Sequence, residues 1–267
     1  MLNLNNKISS IIKLSIVLII SILAMTVISN KQTFAANLTV NTNNDLVNND
    51  NKCSLREAII NANTDSQSGS QDCVAGSGED SIYFESNYLM IINNPLPNIS
   101  SKININAIQD NLACPRDSML DPAQYDDFVR VTLTTNNTTN PFSAFNFVAN
   151  SGGSNVSGFQ ITKFLGNAIT LDSQSGGVTL ECNYLGGVNA YNFSIGNLNG
   201  VEVKSGNNNI IRNNIISSNK NNGILAQKTG NSAINNLQIL NNNIGLNKAA
   251  TGGQGNFQFG ILIDKVS

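Results

Sequence analysis

With 267 residues, 40% of them hydrophobic, the chain is long enough to bury a core, and its sparse charge (12% Asp, Glu, Lys and Arg, net −2) gives no electrostatic reason to bind nucleic acid. It contains no His, which excludes any histidine acid, base or metal ligand, and no Trp. Asn is heavily used, supplying 16 of the 49 residues from Asn199 to Asn247, a composition that argues against a helical protein and against an ordinary cytosolic enzyme.

Residues 1–36 read as a secretory signal peptide. Lys7 and Lys13 form a positive leading region, Leu14 to Ile28 is an uncharged run of 15 residues, and Thr33-Phe34-Ala35 places small residues for cleavage after Ala35 or Ala36. The alternative, an uncleaved anchor, is disfavoured because the run is short of the roughly 20 residues that a spanning helix needs. No second apolar run suggests a stable membrane span after cleavage. Removal of this segment leaves 12 basic and 17 acidic residues. The expected location is therefore secreted or cell-surface.

Cys53, Cys73, Cys114 and Cys182 all lie in the exported part, and an even number of cysteines in an oxidising compartment favours disulfides. Four cysteines allow three pairings. The first expectation is Cys53 with Cys73, nearest in sequence, which leaves Cys114 and Cys182 for a second bridge; unpaired buried thiols are the alternative. Zinc is not expected, because there is neither a CxxC pair nor a His. No other metal and no cofactor is expected.

Residues 37–78 read as an N-terminal cap built on "CSLREAIINAN", residues 53–63. Ser54-Leu55-Arg56-Glu57 is a capping box. Leu55, Ala58, Ile59 and Ala62 then recur at i, i+3, i+4 and i+7 as one apolar stripe, and Asn61, Asn63 and Thr64 are expected to end the helix. So short a helix is unstable alone and must lie on an apolar surface.

From residue 79 to 267 the pattern changes to short β-rich runs. Asp80–Phe84, Tyr88–Ile92, Lys102–Ile108, Phe128–Leu133 and Phe142–Val148 are the first strand candidates. Residues 109–127, with "CPRDSMLDPAQYDDF" around them, do not fit and read as an inserted loop. From Asn155 the runs repeat. "NAITLD" (167–172), "NGVEVK" (199–204), "NGILAQ" (222–227) and "FGILID" (259–264) alternate with "CNYLGG" (182–187), "NNIISS" (213–218) and "NNNIGL" (241–246). From Leu185 to Val201 is 16 residues, from Ile216 to Ile224 is 8, and from Ile244 to Ile261 is 17, so two coils carry an eight- or nine-residue insertion at one place and the coil between them does not. Three short strands in a unit of about 23 to 37 residues is a solenoid signature, and it predicts an all-β right-handed parallel β-helix. Asn suits such a coil, because it tolerates the left-handed corners and its stacked amides form ladders. The cap helix then plugs the first open end, with Cys53 to fasten it. No comparable cap is evident near Ser267, where the sequence reads as truncated or as closed by another molecule.

"CSLREAIINAN", followed by Gly78 to Phe84 and by "PLPNISSKINI" (95–105), resembles the N-terminal module of bacterial CSLREA-domain proteins. These are exported right-handed β-helix proteins of the pectin-lyase-like superfamily. The heptapeptide CSLREAI is present without departure, and the resemblance covers Cys53 to about Asn106. It implies a fold and an export route, not a chemistry.

Three function classes follow. A polysaccharide lyase or hydrolase would need paired carboxylates, or a base beside a cation. Within residues 155–264 the acids are Asp172, Glu181, Glu202 and Asp264; Glu202, Lys204 and Arg212 are the catalytic candidates, against the plainer reading that "VEVK" alternates apolar inward and charged outward. Asp121, Asp126 and Asp127 fit no EF-type calcium loop. The second class is non-catalytic adhesion or contact with a polysaccharide or cell-surface glycan. In that reading Tyr191, Phe193, Phe257 and Phe259 on the inserted loops either stack on sugar rings or fold back as covers. The third is a purely structural stalk.

Overall fold

A computed structural model of the chain describes residues 35–108, 112, 114, 129–172, 174, 176–188, 194–249 and 251–264. The leader up to residue 34, Asp121, Asp126, Asp127, Tyr191 and Phe193 lie outside the described residues.

Strand β1 (Asn37–Val40) and helix α1 (Leu55–Thr64) precede six coils. The first coil holds β2 (Asp80–Phe84), β3 (Tyr88–Ile91) and a bridge from Ile99 to Phe147. The second holds β4 (Ile103–Asn106), β5 (Val131–Thr134) and β6 (Phe145–Phe147), and the third β7 (Asn155–Ser157), β8 (Phe159–Ile161) and β9 (Ile169–Asp172). The fourth holds β10 (Thr179–Glu181), β11 (Tyr184–Gly186) and β12 (Val201–Asn207). β13 (Ile210–Arg212), β14 (Ile215–Ser217) and β15 (Ile224–Gln227) make the fifth, followed by β16 (Ile234–Asn235), which pairs with the end of β12. β17 (Gln238–Leu240), β18 (Asn243–Ile244) and β19 (Ile261–Asp264) make the sixth.

Like strands of successive coils stack in register and always in parallel. β1-β2-β4-β7-β10-β13-β17 form the first sheet, β3-β5-β8-β11-β14-β18 the second, and β6-β9-β12-β15-β19 the third. The alternation of each strand sends one row inward. Ile82, Ile105, Val156, Leu180 and Ile211 meet Leu133, Ile161, Leu185 and Ile216, with Phe147, Leu171 and Val203 from the third side, all fully buried. Phe159 sits edge-on to Phe84 at 5.4 Å and to Phe145 at 5.3 Å, filling the wider early coils. Four strands are shorter than their apolar runs suggest: Tyr88–Ile92 yields Tyr88–Ile91, Lys102–Ile108 yields only Ile103–Asn106, Phe128–Leu133 yields Val131–Thr134, and Phe142–Val148 yields Phe145–Phe147. The flanking residues turn the corners, and Phe142 instead packs edge-on against Phe164.

The corners use left-handed backbone. Cys182, Asn213 and Asn241 have φ of 54°, 52° and 53° at the same place in successive coils. Gly158 occupies that place in the third coil with φ 80°, where a Cβ would come within 2.5 Å of the Ala107 carbonyl carbon. The next residue begins an amide ladder. Asn214 Oδ1 accepts from the backbone N–H (3.0 Å) and Nδ2 (3.1 Å) of Asn183, Asn242 Oδ1 accepts the same pair from Asn214, and their Nδ2 groups donate to inward carbonyls such as Leu180 O. Asn197, Asn219 and Asn256 repeat the arrangement at a second corner, and Asn167, Asn199 and Asn222 form a third ladder. These buried amides satisfy backbone groups that the turns leave unpaired.

α1 closes the first end. Ser54 is its N-cap: the Ser54 hydroxyl accepts from Glu57 N–H, and the Glu57 carboxylate accepts from Ser54 N–H (2.8 Å) and from Asn48 N–H (2.9 Å). Leu55, Ala58, Ile59 and Ala62 are buried in the same core as the coils, and the helix packs on β1 and β2. The Cys53–Cys73 disulfide pins its start. Arg56 forks onto Asp45 (2.9 and 2.7 Å) and donates to Pro95 O and Asn94 O; burial still pushes the Asp45 carboxyl above its ordinary range. The helix ends at Thr64, as expected, and not at Asn61 or Asn63. Asn61 and Asn63 lie within it, and Thr64 is followed by Asp65 (φ 48°) as C-cap. Asn61 is wholly buried; it accepts from Gly69 N–H (2.7 Å) and donates to Ser70 O and Val74 O, so it holds the returning loop against the helix.

Candidate functional site

The outward rows carry whatever chemistry the coils offer. On the first sheet one row runs Asn106, Ser157, Glu181, Arg212, Leu240. Arg212 Nε donates to Glu181 Oε2 at 2.7 Å, and Asn155 Nδ2 donates to Glu181 Oε1 at 2.7 Å. On the third sheet a row runs Asn146, Thr170, Glu202, Leu225, Leu262. Glu202 accepts from Asn167 Nδ2 at 2.7 Å and pairs with Lys204 at 3.5 Å. The register of β12 against β9 shifts between Val203 and Ser205, at Lys204.

Glu202, Lys204 and Arg212 are therefore not one constellation. Arg212 belongs to a different sheet and is committed to Glu181, because the parallel register stacks those two side chains directly. Glu181 and Glu202 likewise stand on different sheets. Among the described residues no group of three or more His, Cys, Asp or Glu is placed to hold a metal ion.

The two inserted loops make a shaped surface. Each follows a strand of the second sheet and is closed at its base by an antiparallel bridge, Val188 with Ser194 and Leu246 with Gly253. The coil between them turns at once at Ser218, whose φ is 56°. Both insertions bond to that corner: Ser194 Oγ donates to Ser218 O at 2.6 Å, and Ser218 N–H donates to Gln254 O at 3.1 Å. The spacing of 16, 8 and 17 residues thus places the described ends of both insertions against the Ser218 corner. A cleft of about 450 Å³ lies there, lined by Val188, Ser194, Ser218, Gly253, Gln254, Gly255 and Phe257. Tyr184 Oη donates to Gln254 Oε1 at 3.4 Å, and burial raises the Tyr184 phenol above its ordinary value. Burial also lowers the Lys248 ammonium in the second insertion.

Phe257 is 78% exposed at the lip of this cleft, and Phe259 is 54% exposed. Neither folds back as a cover. A second polar cleft of about 460 Å³, lined by Gln174, Ser205, Asn207, Thr229, Asn231 and Ser232, lies beside the bulged end of β12. The loop spacing pointed to the first cleft; nothing local pointed to the second.

The other disulfide joins Cys114 to Cys182, with Cα atoms 6.0 Å apart, and so ties the 109–127 insertion to a coil corner. Around it Tyr184, Ile215, Ile108 and Val129 form a small apolar cluster outside the main core.

Residues 131–263 match the family model described as a right handed beta helix region. No curated protein and no solved structure matches the chain.

Proposed function

From a right-handed parallel β-helix with a helical cap, we propose an exported, non-catalytic scaffold that contacts carbohydrate through the cleft between its two insertions, on a polysaccharide or a cell-surface glycan. The observation that carries the reading is Phe257, exposed at the lip of a cleft whose floor offers Ser194, Ser218 and Gln254. Hydroxyl and amide groups beside an aromatic face match the alternating polar edges and apolar faces of a sugar ring. The two coil glutamates are each engaged, Glu181 by Arg212 and Asn155 and Glu202 by Asn167 and Lys204, which supports a binding rather than a catalytic role. Two disulfides, and no described helix long and apolar enough to cross a membrane, are compatible with life outside the cell. The N-terminal motif's resemblance to CSLREA-domain proteins points to the same place.

A glycan array with the exported protein, run beside a degradation screen on the polysaccharides it binds, tests the proposal. The expected result is binding that Phe257→Ala weakens about 10-fold, with no new ultraviolet absorbance from unsaturated products. Degradation of any bound polymer, or binding indifferent to Phe257→Ala, overturns it.

A further inference from the structure

Asp80 is a buried carboxylate with an unmatched half. It is 1% exposed at the start of β2. Its Oδ1 accepts from Ser77 N–H and from Ala36 N–H, both at 2.9 Å, while Oδ2 has no hydrogen-bond partner. Burial pushes this carboxyl up, and the nearby charge of Asp65 adds to the push. Among the described residues neither acid has a cationic partner, and the neighbouring Glu79 is paired with Lys102. A buried carboxylate with an unmatched oxygen is costly, and a cationic donor placed beside it would offset that cost.

The group that touches it belongs to the junction where the leader is expected to end. Among the described residues Ala36 is also the first that the coil engages. Its carbonyl accepts from Ser81 N–H at 2.8 Å, one step ahead of the β1–β2 ladder, and its side chain packs on the core. Ala35 is exposed. Cleavage after Ala36 would discard both contacts, whereas cleavage after Ala35 keeps them and turns the amide against Asp80 into an amine.

We infer that the leader is cut between Ala35 and Ala36, and that the new α-ammonium of Ala36 pairs with the Asp80 carboxylate and seats β1 as the first strand of the first sheet. The step is a peptide hydrolysis by a leader-removing endopeptidase. Water gives its hydroxyl to the Ala35 carbonyl carbon and a proton to the Ala36 nitrogen, which takes a second proton from solvent. The cation then has three donors where the amide had one, enough to reach Oδ2 as well as Oδ1. Cutting completes the cap end of the fold, so an uncut chain holds β1 less firmly than a processed one.

The inference rests on the export reading, and the test separates the two. The full-length gene is expressed with its own leader, and the exported protein's first residue is read by Edman degradation and intact mass. The α-amine is then labelled by reductive methylation with ¹³C-formaldehyde and titrated by NMR. The expected first residue is Ala36, with its amine titrating about one unit or more above the ordinary value of about 8, and returning to that value in Asp80→Asn. Retention of the uncut chain inside cells would sink the export reading. Export of a chain beginning anywhere other than Ala36 would sink the inference alone, as would Ala36 first with an ordinary amine. The wild-type titration decides the matter even where Asp80→Asn does not fold.

Discussion

The first and the last described rungs of the coil are covered differently. At the first end α1 lays Leu55, Ala58, Ile59 and Ala62 over the core, a disulfide pins the helix start, and Arg56, Glu57 and Asn61 tie the surrounding loops to it. At the last described rung Ile261 and Ile263, which stack on the buried Ile224 and Ala226, are 43% and 57% exposed, and β17, β18 and β19 have partners on one side only among the described residues. The same residue types in the same strand pattern are core at one end and surface at the other. In a stacked coil a side chain is stabilised by its neighbours along the axis, so position in the stack matters as much as sequence.

Matched substitutions break or sharpen that contrast. Ile59→Ala empties a fully buried site and is expected to cost about 3 kcal/mol, lowering Tm by about 6–12 °C, while Ile263→Ala at the open rung costs under about 0.5 kcal/mol. Calorimetry of the two variants gives the comparison directly, and equal losses would erase it. Cys53→Ser with Cys73→Ser opens a loop of 20 residues and is expected to cost about 3 kcal/mol, seen as a lower Tm that reducing agent does not lower further unless the Cys114–Cys182 bridge also contributes. Asn214→Ala in the middle of its ladder leaves bonds from Asn183 and to Leu180 unmade, for about 2 kcal/mol; Asn242→Ala at the ladder's last rung costs less, and urea midpoints rank the two. Ser54→Ala removes the helix N-cap for about 1 kcal/mol, which a urea melt resolves as a shifted midpoint with an unchanged slope.

What the sequence disclosed was mostly local. The Ser54–Glu57 capping box and the apolar stripe act within one helix, so they could be read directly, and the repeat of strand and Asn corner displayed the coil and the loop insertions. What escaped depends on distant parts of the chain. Asn61 reads as a helix stop because Asn disfavours helix interiors; in place it gains three carbonyl and two amide partners from residues 69–74, which outweigh that preference. Arg212 could be grouped with Glu202 and Lys204 only while the stacking register was unknown; the register hands it to Glu181 instead. The partner of Cys114 follows from Cys182 occupying a corner that other coils give to Asn or Gly, a place visible only once the coils are aligned.

Hydrogen exchange followed by mass spectrometry along the native chain tests the stacked coil and its helix-capped first end most directly. The account predicts slowest exchange in β2, β4, β7 and β10, with protection falling through β13 and β15 to the fastest strands, β17, β18 and β19. Protection that is uniform along the coil, or weakest at α1 and β1, would contradict it.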